Sequence, residues 1–189
     1  MGGTEIGRPY SSGSFSVGGD GVLAFTITDP GHPADVAVRT SKDEKPRRLT
    51  ALNDWLRDKD LATVEEIHFE SLHDKREIQG WVVKPPHFDE KKKYPLILEI
   101  HGGPFANYGP RFAADMQLYA AAGYVGFYAN PRGSTSYGEE LANLIHHSYP
   151  GNDFQDLDSG VDAILAKGYI DKDNLFVTGG SGEIGRAHV

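Results

Sequence analysis

At 189 residues the chain has room for one ordinary domain or one and a half, and 39% apolar with 24% charged residues is a globular composition. A net charge of −8 argues against nucleic acid as a partner, because phosphate binding needs clustered Lys and Arg, and no apolar run approaches the roughly 20 residues that span a bilayer. The absence of cysteine excludes disulfides and thiolate metal sites, and no metal or cofactor is expected. Met1-Gly2-Gly3-Thr4-Glu5 lacks the basic and apolar regions of a secretory leader. A cytoplasmic location is therefore the expectation, if the start of the chain is native. Oligomeric state is left open.

Residues 14–50 read as short strands separated by turns. Phe15-Ser16-Val17 and residues 22–28 flank Gly18-Gly19-Asp20-Gly21; residues 34–38 follow Asp29-Pro30-Gly31-His32-Pro33, and Arg48-Leu49-Thr50 closes the set. Three or four such strands make one antiparallel sheet, too small to bury a core alone and typical of a repeated architecture such as a propeller. The polar stretch 51–66 is expected to be partly helical. Around the turn at His73-Asp74-Lys75 lie two alternating strands, residues 67–69 and 78–83.

Leu96-Ile97-Leu98-Glu99-Ile100 and residues 124–128 read as central strands, joined by a helix over residues 112–122 that Gly123 suits as a cap. Lys91-Lys92-Lys93 before the first of them reads as a solvated turn. Phe154, Leu157, Val161, Ile164 and Leu165 recur at helical spacing, with aspartates near the start. Alternating strands and helices predict an α/β fold with a mostly parallel sheet covered on both faces.

The last apolar run, Leu175-Phe176-Val177-Thr178, enters Gly179-Gly180-Ser181-Gly182. Glycines there permit a sharp turn that lifts one serine above the end of a sheet, the content of the Gly-x-Ser-x-Gly nucleophile elbow. The fifth position is Glu183 instead of Gly. Residues 180–185 also fit Gly-x-Gly-x-x-Gly, the dinucleotide fingerprint, but that motif needs a following helix and an acidic residue about 20 positions on, and neither is present. From Glu183 the apolar spacing of a helix never develops, and residues 183–189 resemble a translated sequencing adapter. They are expected to be a non-native tail.

Taken together, Tyr94-Pro95-Leu96-Ile97-Leu98-Glu99-Ile100-His101-Gly102-Gly103-Pro104, Asn130-Pro131-Arg132-Gly133-Ser134-Thr135-Ser136-Tyr137-Gly138 and the elbow resemble the prolyl oligopeptidase family of serine peptidases, on its acylaminoacyl-peptidase and dipeptidyl-aminopeptidase-like side. The likeness covers most of the chain from about Ser14. It implies that residues 1–55 are the C-terminal part of a β-propeller, 56–66 a linker, and 67–182 the N-terminal half of an α/β-hydrolase domain. It also implies a short peptide as substrate and an acyl-enzyme on Ser181. The triad Asp and His would follow the serine in sequence. They are missing here, so the chain reads as an inactive fragment. An α/β-hydrolase esterase and a non-catalytic fragment are the other readings.

Gly103 and Gly182 are the candidate oxyanion-hole donors, through backbone N–H groups aimed where charge develops. The alternative for Gly102-Gly103-Pro104 is a simple chain turn. His101 reads as a positioning residue. Arg132, after another strand's carboxyl end, either pairs with a substrate carboxylate or ties loops together. His146 and His147 are placed late on a helix, where adjacent residues diverge by about 100° and cannot chelate one metal. His188 is too close to Ser181 in sequence to serve as its base.

Overall fold

A computed structural model of the chain describes residues 7–43 and 45–181. Gly182, the Glu183 position and His188 lie outside the described residues. The first strands, β1 (Phe15–Val17), β2 (Leu23–Asp29), β3 (His32–Arg39) and β4 (Arg47–Arg48), form a four-stranded antiparallel sheet in chain order. Asp35 pins its last turn. Its buried carboxylate accepts from the Thr50 hydroxyl at 2.6 Å, the Leu52 N–H at 3.1 Å and Arg48 at 3.1 Å. Burial alone would raise the Asp35 pKa, but these donors outweigh it and hold the carboxyl below the usual range.

A single 3-10 turn, Asp54–Asp58, supplies the expected helical part of the connection. The next strand starts earlier than its apolar run suggests: β5 (Thr63–Glu70) opens in the polar stretch because Thr63 and Val64 continue its pairing with β6 (Glu77–Lys84). Then come β7 (Tyr94–Ile100), α1 (Ala114–Ala121), β8 (Val125–Ala129), α2 (Glu139–Asn143), α3 (Asp153–Leu165) and β9 (Ile170–Gly179). Gly123, at φ +93°, ends the first long helix as the sequence suggests.

The second sheet has the order β5-β6-β8-β7-β9. Strands β8, β7 and β9 run parallel, whereas β5 and β6 are antiparallel additions, so the sheet is mixed rather than mostly parallel. Period-two alternation supplies both of its cores. On one face Val82, Leu96, Ile100 and Phe127 pack with Leu157 and Ile164 of α3. On the other Trp81, Val83 and Tyr128 pack with Met116 and Ala120 of α1. Parallel pairing aligns the carboxyl ends of β7 and β9, with Ile100 opposite Gly179. The two glycine loops thus leave the sheet at the same end.

Candidate active site

Ser181 lies two residues past the end of β9, is exposed, and has a φ of +69°. A non-glycine residue in that region carries strain that surrounding structure must hold. Gly102 lies against it. A Cβ on Gly102 would stand 2.9 Å from the Gly180 carbonyl oxygen and 3.3 Å from the Ser181 Cβ. Any side chain at 102 would push the two loops apart.

The glycines after His101 are not equivalent. Gly102 is buried and its N–H donates to the Tyr10 hydroxyl at 2.9 Å. Gly103 is half-buried, with a side open to solvent. Between the two, Gly103 has the N–H that is not given to Tyr10.

His101 is buried, with Nδ1 2.7 Å from the Gly102 carbonyl oxygen and Nε2 3.0 Å from the Ser134 hydroxyl. A carbonyl only accepts, so Nδ1 carries the proton; in the neutral ring Nε2 then accepts from Ser134. Both ring nitrogens are committed to the two motif loops.

The Asn130-Pro131-Arg132 motif braces the first glycine loop from outside. The Asn130 side chain accepts from the Tyr108 N–H at 2.8 Å and donates to the Tyr108 carbonyl at 2.9 Å. Phe105 donates its N–H to the Gly133 carbonyl at 2.9 Å, and Thr135 to that of Ala106 at 3.0 Å. Arg132 is buried. Its guanidinium holds both oxygens of the buried Asp156, at 2.9 and 2.8 Å, and Asp74 at 3.0 Å, while its own N–H donates to Asp156 at 2.8 Å. The Asp156 hydrogen bonds, outweighing burial, keep Arg132 firmly charged. Of the two roles open in the sequence, the geometry is that of a loop tie.

The His146–His147 reading needs correcting. Helix α2 ends at Asn143, and both histidines lie beyond it, His147 at φ +60°. Their rings stand 3.9 Å apart edge to face, so the helical divergence does not apply. Among the described residues no group of three or more His, Cys, Asp or Glu is arranged to hold a metal ion. Likewise, no described helix is long and apolar enough to cross a membrane.

Glu99 and Arg8 are among the participants that escaped sequence reading. Glu99 is a wholly buried carboxylate in the apolar strand β7. It takes an ion pair from Arg8 at 2.9 Å and a hydrogen bond from the Tyr108 hydroxyl at 3.1 Å. Burial, and next the Glu99 charge, push the Tyr108 pKa far up, so that hydroxyl remains a donor. One acid in an apolar run was the available signal for Glu99; Arg8 offers none.

Residues 110–182 match the prolyl oligopeptidase family. Over that stretch the chain is similar to this family of serine peptidases. It is 38% identical over 159 residues to the uncharacterized peptidase YuxL of Bacillus subtilis, covering 82% of this chain and 24% of that protein. Dipeptidyl-peptidase 5 of Schizosaccharomyces pombe is 35% identical over 123 residues, 64% of this chain and 18% of its own. In structure, the chain is similar to Pyrococcus horikoshii acylaminoacyl peptidase, with a TM-score of 0.82 and 29% identity over 93% of this chain and 28% of that one. The chain thus spans about a quarter of the length of these family relatives.

Proposed function

We propose that this sequence carries the nucleophile half of a serine peptidase that cleaves short peptides through an acyl-enzyme on Ser181. The observation that carries the reading is Ser181 itself, at positive φ just past the end of β9 and packed against the Gly102-Gly103 loop. In this scheme Ser181 Oγ attacks the carbonyl carbon of the scissile amide as its proton passes to a histidine base. The carbonyl oxygen takes up the negative charge and accepts from the N–H groups of Gly103 and Gly182. As the intermediate collapses, the C–N bond breaks and the histidine returns its proton to the leaving amine. Water then releases the acyl group and regenerates Ser181.

His101 is the positioning residue of the scheme, fixing the glycine loop, and Arg132 ties the outer loops. The base and its carboxylate come from sequence that follows Ser181 in the complete protein, the chain order of this hydrolase architecture. The family relatives, about four times as long as the stretch they share with this chain, have room for them. The 189-residue chain alone is accordingly inactive. The four-stranded sheet is the end of a propeller that limits access to short peptides.

The test is turnover of matched amide and ester substrates, an aminoacyl or N-acyl-aminoacyl p-nitroanilide against its p-nitrophenyl ester, by the protein expressed from its whole reading frame. Cleavage of the anilide supports the peptidase. Turnover of the ester alone would make it an esterase.

A further inference from the structure

We propose that Arg8 and Tyr10, on the segment before the first strand, are positioning residues that clamp the elbow to the oxyanion loop. The inference rests on the reading of Ser181 as nucleophile. It starts from a mechanical problem. Among the described residues β9 is an edge strand, paired only with β7, and its last apolar residues Leu175, Phe176 and Val177 are nearly half exposed. Ser181, at φ +69° just past the end of β9, is in a conformation that surrounding contacts must hold.

Arg8 supplies the missing hold. Its Nη2 donates to the Gly179 carbonyl at 2.8 Å across 171 positions of sequence, while Nε pairs with Glu99 at 2.9 Å. Its other terminal nitrogen lies against Gly180, so that a Cβ there would have to displace the guanidinium. One planar guanidinium therefore joins the tip of β9 to the tip of β7. Glu99 needs that partner, because a fully buried carboxylate is costly unless it is paired and hydrogen-bonded.

Tyr10 completes the clamp on the other loop. Its hydroxyl accepts the Gly102 N–H at 2.9 Å, and its ring packs edge-on against Tyr108 at 4.9 Å between centroids. Backbone pairing anchors the segment. Ser11 N–H donates to the Asn107 carbonyl and Gly109 N–H to that of Pro9, both at 2.9 Å. In this way Tyr10 fixes the His101–Gly102 peptide plane, directly before the Gly102–Gly103 peptide whose carbonyl His101 holds and whose N–H is the proposed oxyanion donor. Arg8 and Tyr10 thus set the distance between nucleophile and oxyanion hole without touching substrate.

The experiment has two arms. In the protein from its whole reading frame, kcat and KM for an anilide substrate are compared for wild type, Arg8→Gln, Arg8→Lys and Tyr10→Phe. Arg8→Gln should lower kcat on the order of 10²-fold, the loss a misplacement of about 1 Å produces, with KM nearly unchanged. Arg8→Lys keeps a charge for Glu99 and so preserves the fold if Arg8→Gln does not. Its single ammonium cannot also hold the Gly179 carbonyl in the same geometry, so kcat should be intermediate. Tyr10→Phe keeps the ring but removes the acceptor, for a loss of about tenfold. The second arm reads amide hydrogen exchange at Gly180 and Ser181, which should quicken in Arg8→Lys. Wild-type kcat and wild-type exchange in Arg8→Lys would overturn the clamp. Turnover surviving in Ser181→Ala would instead defeat the nucleophile reading, and the exchange arm still decides the clamp.

Discussion

The Ser181 Cβ stands 3.3 Å from where a Cβ on Gly102 would be, and the Gly180 carbonyl oxygen stands nearer still. These are backbone and near-backbone atoms, which cannot swing aside. Gly102→Ala should therefore displace the elbow, destabilising the protein by about 1–3 kcal/mol, the usual range for overpacking. A melt combined with the rate of phosphonate labelling checks both effects. An alanine variant as stable and as reactive as wild type would show that the loops do not press on each other.

Arg132 separates a tie from a substrate-binding group. It and Asp156 are both buried, and removing one partner of such a pair leaves an uncompensated charge. Arg132→Met should cost about 3–5 kcal/mol of stability, read as a lower denaturant midpoint. A raised KM with unchanged stability would instead mean that Arg132 meets a substrate carboxylate.

Acid should weaken the same ties. Burial would raise the pKa of Asp74, but Arg132 and the Arg76 N–H outweigh it and hold the carboxyl below its ordinary value, as the donors around Asp35 do there. A depressed folded pKa gives stability that is full above the unfolded value, about 3.9, and is lost as pH falls through the folded one. Melting temperature should hold from neutral pH to about 5 and drop below about 4. Asp35→Asn with Asp74→Asn should start lower at neutral pH and show a shallower drop. A double variant with the wild-type acid profile would assign the acid loss to other carboxylates.

Most of this architecture was legible because period-two and helical spacing were strong. The first sheet, the strand run into the elbow and the α3 aspartates all read directly from pattern. Sheet membership did not: residues 67–69 and 78–83 read as alternating strands about a turn, but nothing in their pattern marks them as antiparallel members of the same sheet as β7, β8 and β9. The site was legible only in its local motifs. Ser181, His101 and Gly103 sit in short signatures, whereas Asp156 and Asp74 reach Arg132, and Arg8 reaches Glu99, through contacts that leave no local trace in sequence. The histidine misplacement has the same origin, since nothing in Leu141-Ala142-Asn143-Leu144 marks the end of α2.

The exposed edge also has a consequence. Leu175, Phe176 and Val177 present apolar side chains on a strand whose outer side has no described partner. Such edges recruit other chains. The 189-residue chain should elute from a sizing column as a broad, large species, and Phe176→Lys should shift it toward monomer. A sharply melting monomer of the unmodified chain would contradict this.

The most direct measurement is covalent labelling of the protein from its whole reading frame with a serine-directed fluorophosphonate, followed by peptide mass mapping. One adduct should form per chain, on the peptide that contains Ser181, and Ser181→Ala should abolish both the adduct and peptide turnover while keeping the melting temperature. An adduct on a different serine, or turnover that persists in Ser181→Ala, would contradict the assignment of Ser181 as the nucleophile.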